Sequence, residues 1–362
     1  MKKIIGMAAA WLSISPLLHA QESTSVQPFQ LSGYAEMYYT HDFNNPKTNT
    51  RPGFIYSHHR NNEVNINLAL VKGTYATENV RANLALAAGT YMSANYAAEP
   101  HGLQNIYEAN VGVKLSAKHN LWLDAGIFSS HLGLESAVGL DNWALTRSLS
   151  VENSPYFETG AKVSYTTADG RWLVSGLLLN GWQRIQRVDG NTTPAFGHQV
   201  QYKPNAEWTL NSSSFVGNDK VDSLRLMRYF HNFYAIYQPS AKLGFTIGFD
   251  IGLQQEAKGS SNYHTWYAPL LLLKYAPIAK LSMTARAEYY SDKHSVIIAG
   301  ADGHDGFKTF GYSMNVDYAI TDHVVWRSEC RNLHSRDPLF VNSNAVLKTN
   351  SPSVTTAIAV RF

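Results

Sequence analysis

From Phe29 to Phe362 the dominant period of apolar and polar positions is two, the period of a β-strand whose side chains point alternately to opposite faces. Over Glu63–Lys72, Val64, Ile66, Leu68 and Leu70 fall on one face and Glu63, Asn65 and Asn67 on the other. Further on, Leu243, Phe245, Ile247, Phe249, Ile251 and Leu253 alternate with Gly244, Thr246, Gly248, Asp250, Gly252 and Gln254. The last segment sets Val354, Ile358, Val360 and Phe362 against Thr355, Ala357, Ala359 and Arg361. The pattern predicts strands near 29–40, 61–75, 80–92, 104–116, 121–130, 156–167, 171–184 and 195–203. It continues with 206–217, 226–238, 242–255, 263–275, 280–291, 308–319, 324–335 and 353–362.

The connections fall into two classes. Every second one is short and carries Pro, Asp, Asn or Gly, as at Ala168-Asp169-Gly170, Pro204-Asn205 and Pro239-Ser240. Those between are longer: 41–60, 93–103, 131–155, 185–194, 218–225, 256–262, 292–307 and 336–352. Short turns on one side and long loops on the other are the habit of an up-and-down membrane barrel. A soluble sandwich shares the alternation, but its apolar faces meet inside. The even count favours a closed antiparallel transmembrane β-barrel of about sixteen strands with both termini in the periplasm.

The N-terminus strengthens that choice. Lys2 and Lys3 precede an apolar stretch from Ile4 to about Ile14, and Leu18-His19-Ala20 follows Pro16. This is the layout of a cleaved export signal, residues 1–20. A short periplasmic segment, 21–28, would then lead into a barrel over 29–362 in a bacterial outer membrane. Apart from the signal, no apolar run approaches the roughly 20 residues that a membrane helix needs. Without the two leader lysines, 28 basic residues face 27 acidic ones, so nucleic acid is not an expected partner. Cys330 is the one cysteine, which excludes an intramolecular disulfide. The 21 tyrosines suit the aromatic girdles of a barrel at both membrane interfaces.

The chain ends on Phe362, with Val360 and Ile358 on the same face. A last strand closing on an aromatic residue resembles the signal read by the outer-membrane barrel-assembly machinery. Within Gly133–Lys162 stand Asp141-Asn142-Trp143, Thr146-Arg147-Ser148 and Glu152-Asn153-Ser154-Pro155-Tyr156. This segment resembles the OmpL-like β-barrel porins of the porin-2 family, and the strand-and-turn pattern follows that family over nearly the whole mature chain. The resemblance implies an outer-membrane channel. By analogy with sixteen-stranded porins it also allows a homotrimer.

A barrel of this size leaves an aqueous lumen, so selectivity falls to whatever narrows it. The third long connection, 131–155, is the longest and carries Glu135, Asp141, Arg147 and Glu152. Its apolar residues, among them Leu132, Val138, Trp143 and Leu145, suggest that it packs against something. General porins, which this layout resembles, fold the third loop inward, and we expect the same here; a loop packed on itself outside is the alternative. Arg286 and Glu288 share one strand face, and Arg327, Glu329 and Arg331 share another. A lipid-facing Arg costs about 2–4 kcal/mol, which directs these charges to the lumen. Glu108, Lys114, Glu158, Lys162, Asp250 and Asp317 follow the same rule. The wall charges could form a transverse field for polar solutes, or mutually neutralising pairs.

No Gly-x-Ser-x-Gly sequence accompanies the 14 histidines, so a lipid-hydrolysing barrel is a weak alternative and no catalytic residue is assigned. Asp302, His304 and Asp305 could gather round a divalent ion, but their spacing matches no established site and a solvated loop explains them as well. No cofactor and no metal is expected. The expected function is passive diffusion of small hydrophilic solutes, with adhesion or envelope structure as the alternative. Membrane lipid and the assembly machinery are the other partners.

Overall fold

The computed structural model describes residues 28–300 and 306–362. The expected export signal, residues 21–27 and the Asp302, His304 and Asp305 cluster lie outside the described residues. Sixteen antiparallel strands close into one barrel. Its first eight are β1 (Phe29–Asp42), β2 (Val64–Ala76), β3 (Val80–Ala88), β4 (Ile106–Lys114), β5 (Asn120–Ser129), β6 (Phe157–Thr166), β7 (Trp172–Leu179) and β8 (Ala195–Tyr202). Then come β9 (Trp208–Gly217), β10 (Arg228–Tyr237), β11 (Leu243–Gln255), β12 (Tyr263–Ile278), β13 (Leu281–Asp292), β14 (Phe307–Ala319) and β15 (Val324–Ser335). A small hairpin, β16 (Phe340–Val341) and β17 (Leu347–Lys348), precedes the closing strand β18 (Asn350–Arg361). Each expected strand is present, in up-and-down order.

Closure is made by β18 against β1, with Arg361 opposite Tyr34 and Ser353 opposite Asp42. Phe362 extends the ladder: its carbonyl accepts the Gly33 amide at 2.8 Å, and its own amide donates back at 3.1 Å. Pairing every strand removes the edges that would otherwise present unmade backbone hydrogen bonds to lipid.

The apolar face points outward. Phe245, Ile247, Phe249 and Leu253 of β11 are exposed, whereas Thr246 and Asp250 between them are buried. Aromatic rings gather in two outward belts. Trp172 stacks on Tyr202, and Trp208 on Tyr237, near the short turns. Tyr229, Tyr263 and Tyr267 lie toward the long loops. Amphipathic rings at both levels are what two membrane–water interfaces require.

Three expectations need correction. On β2 the four apolar residues do not share a face: Val64 and Ile66 point outward, but Leu68 is wholly buried. Glu36 pairs with Leu68 and Met37 with Ile66, so Asn67 is an extra residue in a bulge. One inserted residue reverses every later side chain, which turns Leu68 and Lys72 inward and Val71 outward. The strand expected over 80–92 stops at Ala88, because Gly89 takes φ 129° and starts the short helix α1 (Thr90–Asn95). A side chain at Gly89 would also collide with the Asn67 backbone. The strand expected over 171–184 likewise ends at Leu179, and Trp182 then turns inward onto Phe215 and Phe230.

Candidate functional site

Connection 131–155 lies inside the barrel, held against the wall of β13, β14 and β15. Its residues 144–154 are all buried. A loop placed there must satisfy its backbone groups without water, and the charged wall does this. Arg286 donates to the Thr146 carbonyl at 2.7 Å and to its hydroxyl at 2.8 Å. Glu329 accepts the Thr146 amide at 2.6 Å. Glu288 accepts the Leu149 amide at 2.6 Å, and Arg331 donates to the Arg147 carbonyl at 3.0 Å. Nearer the short turns, Arg327 donates to the carbonyls of Gly139 and Asn142 at 2.6 and 3.0 Å.

The same side chains pair with one another: Arg286 with Glu329 at 2.6 Å, Arg331 with Glu288 at 2.6 Å and Arg327 with Asp317 at 2.7 Å. Arg286, Glu288, Arg327, Glu329 and Arg331 are all buried. They do not stand free across an opening as a transverse field. Each guanidinium is occupied by a carboxylate and a loop carbonyl, which is the arrangement of neutralised pairs.

The loop's own charges are equally committed. Arg147 is wholly buried and closes the loop on itself, donating to the carbonyls of Ser136, Leu145 and Ala137 at 2.7 to 2.9 Å. Glu135 accepts the Ser148 amide at 2.8 Å and its hydroxyl at 2.6 Å. Glu152 accepts the amides of Tyr56 at 3.1 Å and Ser57 at 3.2 Å, which ties the first long connection, 43–63, to the third. Burial pushes the Glu152 carboxyl up to about 7. Asp141 is the exception: half exposed, it meets Arg361 at 2.6 Å near the short turns. Ile358 and Phe362 are exposed on the outer face of β18, and Val360 is half-buried beside them.

The remaining wall charges also face inward. Glu108 pairs with Lys72, Asp250 accepts from Asn232 at 2.5 Å, and Lys162 lies 4.7 Å from the centre of the Phe128 ring. Glu158 is wholly buried and Lys114 is half-buried. Reasoning from the sequence missed several partners. Tyr34 accepts the Gly139 amide at 3.0 Å and donates to Glu36 at 2.9 Å. Asn315 accepts the Leu145 amide at 3.2 Å. Glu36, His58 and Asn67 form a buried cluster with bonds of 2.8 and 2.9 Å. The polar position of Glu36 on an alternating strand was a legible signal; His58 needs the fold of 43–63.

Cavities remain at both ends of the lumen. One of about 750 Å³ opens among the long loops, lined by parts of 44–54 and 339–347. Another, of about 620 Å³, lies near the short turns between Trp143, Lys242, Lys274 and Lys280.

Similar folds occur among solved porins. The structure resembles OprB of Pseudomonas putida (TM-score 0.60, 8% identity, 93% of this chain and 94% of that one). It also resembles OmpT of Vibrio cholerae (0.59, 9%, 92% and 97%). A third similar structure is an anion-selective porin from Comamonas acidovorans (0.58, 9%, 92% and 99%). Among curated proteins no sequence matches. The family model described as "Putative beta-barrel porin-2, OmpL-like" matches residues 28–362, which is the whole barrel, and the chain belongs to that family.

Proposed function

We propose that the chain forms an outer-membrane channel for passive diffusion of small hydrophilic solutes, with connection 131–155 as its constriction. The observation that carries this is the backbone anchoring of that loop on the wall, with cavities left at both ends of the lumen. The loop is held by charge-assisted bonds on one side and packs Leu132 and Leu149 into an inward apolar cluster with Phe215, Phe230 and Trp266 on the other, so it narrows the bore between the two cavities. The long loops face outside the cell and both termini face the periplasm, after removal of residues 1–20. Glu135 and Arg147 brace the constriction, while the charges of β13 and β15 position it. Ile358, Val360 and Phe362 present the outward apolar face that the assembly machinery would read. The trimeric form of the similar Vibrio cholerae OmpT supports a homotrimer here.

The channel acts without catalysis, metal or cofactor. On the outer wall, Ser214 meets His198 at 2.5 Å and Ser212 meets His231 at 2.9 Å. No acidic side chain orients either imidazole among the described residues, and these pairs satisfy polar groups on an apolar face. Swelling of liposomes that hold the purified chain, in sugars of graded size, tests the reading. Entry of small sugars with a sharp size limit is expected, and no swelling in any sugar would overturn it.

A further inference from the structure

Alternation along three neighbouring strands aims three lysines into the lumen at its short-turn end. On β12, Leu271, Leu273 and Tyr275 face lipid, so Lys274 shares the inward face with Leu270 and Leu272. Lys242 precedes β11 in step with the inward Thr246, and Lys280 precedes β13 in step with the inward Thr284 and Arg286. All three line the cavity of about 620 Å³ beside Trp143 of the inward loop. Gly244 pairs with Lys274, and two residues on the Ala276 amide donates to the Lys242 carbonyl at 2.7 Å. Lys242 and Lys274 are thus diagonal neighbours on one face, with backbones about 7–8 Å apart. Gly244 makes room for the Trp143 ring, which a side chain there would meet at 2.6 Å, and the Lys274 ammonium stands 5.7 Å from the centre of that ring.

The cavity also holds two carboxylates, and each is already occupied. Asp317 accepts from Arg327 through both oxygens, at 2.7 and 2.9 Å, and from Asn315 at 2.9 Å. Asp141 accepts from Arg361 at 2.6 Å. Lys242, Lys274 and Lys280 have no ion-pair partner among the described residues. Lys242 and Lys280 are exposed and Lys274 is half-buried, and none of the three ammonium groups is sealed from water. On the strands β2 to β6 of the facing wall, Glu108 is held by Lys72 and Asp124 by Arg81, which leaves Lys162 without an ion pair. The short turns outside are close to balance, with Glu78, Asp169, Glu207 and Asp322 against Lys118, Arg171 and Lys203. The positive surplus therefore belongs to the lumen.

Like charges at diagonal positions repel one another, and an anion between them relieves that repulsion. A cleft lined by one sign of charge between low-dielectric walls focuses its field and concentrates ions of the opposite sign. We propose that this cavity makes the channel selective for small anions, with Lys242, Lys274 and Lys280 as the residues that set the preference. The proposal rests on the channel reading and names a solute class for it.

Reversal potentials of the full barrel in planar bilayers, across a gradient of potassium chloride, test the preference. Chloride should permeate at least about threefold faster than potassium, since a potential of about one kT changes local ion concentrations by that factor. Replacing Lys242, Lys274 and Lys280 together by Gln should abolish the preference, whereas Lys220→Gln, exposed in a long loop, should keep it. A second readout needs neither that variant nor conduction: quenching of Trp143 fluorescence in micelles, taken as the difference between the unaltered chain and Trp143→Phe. Iodide should quench it at least about threefold more efficiently than caesium, each scaled to its quenching of free N-acetyltryptophanamide. Equal permeability of the two ions, or a potassium preference, would overturn the proposal, as would an anion preference that survives the triple replacement. So would equal scaled quenching by iodide and caesium. A folded barrel that conducts nothing but keeps the iodide preference would remove the channel and keep the anion site.

Discussion

Arg286 on β13 and Thr146 in the middle of the inward loop are joined twice, through the Thr146 carbonyl at 2.7 Å and its hydroxyl at 2.8 Å. Glu329 closes the ring by accepting from Arg286 at 2.6 Å and from the Thr146 amide at 2.6 Å. Three groups on three segments thereby satisfy one another in a buried setting. Removing any one leaves a charge or an amide without a partner.

Glu329→Gln should therefore release the loop. Arg286 is then left with Glu288 alone, 3.4 Å from its Nε and already shared with Arg331; breaking a buried ion network costs about 3–5 kcal/mol, and rehydrating Arg286 by detaching Thr146 avoids most of that cost. The barrel should stay folded while the loop becomes cleavable by trypsin. Limited proteolysis followed by mass spectrometry checks this, and continued resistance at Arg147 would contradict it.

Arg147→Lys should be nearly as disruptive as Arg147→Ala. The guanidinium reaches three carbonyls of its own loop at fixed angles, which a single ammonium cannot do. Both variants should give noisy channels with frequent transitions between conductance levels. A quiet, wild-type trace from Arg147→Lys would show that charge alone holds the loop.

Glu152 should make the clasp between the first and third long connections depend on pH. Its carboxyl is raised by burial from an ordinary 4.5 to about 7. A folded value above the unfolded one means that the folded state binds the proton more tightly. Its contribution to stability is thus fully present below about 4.5 and is lost as the pH rises through about 7. Relative to Glu152→Gln, the wild type should have a higher Tm at pH 5 than at pH 8. Thermal melts followed by tryptophan fluorescence measure the difference, and a pH-independent gap would contradict it.

Gly33→Val should hinder closure of the barrel. The Phe362 ring occupies the space that a side chain at position 33 would need, and the two residues exchange backbone hydrogen bonds. Moving the ring strains the β1–β18 seam at the chain's last residue. The folded fraction, read from heat-dependent gel migration after refolding into vesicles, should fall several-fold, while Gly53→Val in an open loop should have no effect.

The barrel was largely legible in the sequence because membrane and lumen impose opposite demands on alternate residues, as Phe245 and Thr246 show. The β2 face was misread because a bulge at Asn67 leaves no mark in an alternating pattern; only the pairing of Glu36 with Leu68 reveals it. The loop charges Glu135, Arg147 and Glu152 were identifiable as unusual, since charged residues in an apolar loop need partners. Their partners were not identifiable, because backbone carbonyls at Ser136 or Ala137 are acceptors whatever the side chain.

Single-channel conductance of the wild type and of a chain lacking Ala137–Leu145, recorded side by side in planar bilayers, tests the constriction most directly. If the inward loop narrows the bore, the deletion gives larger unitary steps at the same salt and admits larger sugars. Equal unitary conductance from a correctly folded deletion would show that the loop does not set the width of the channel.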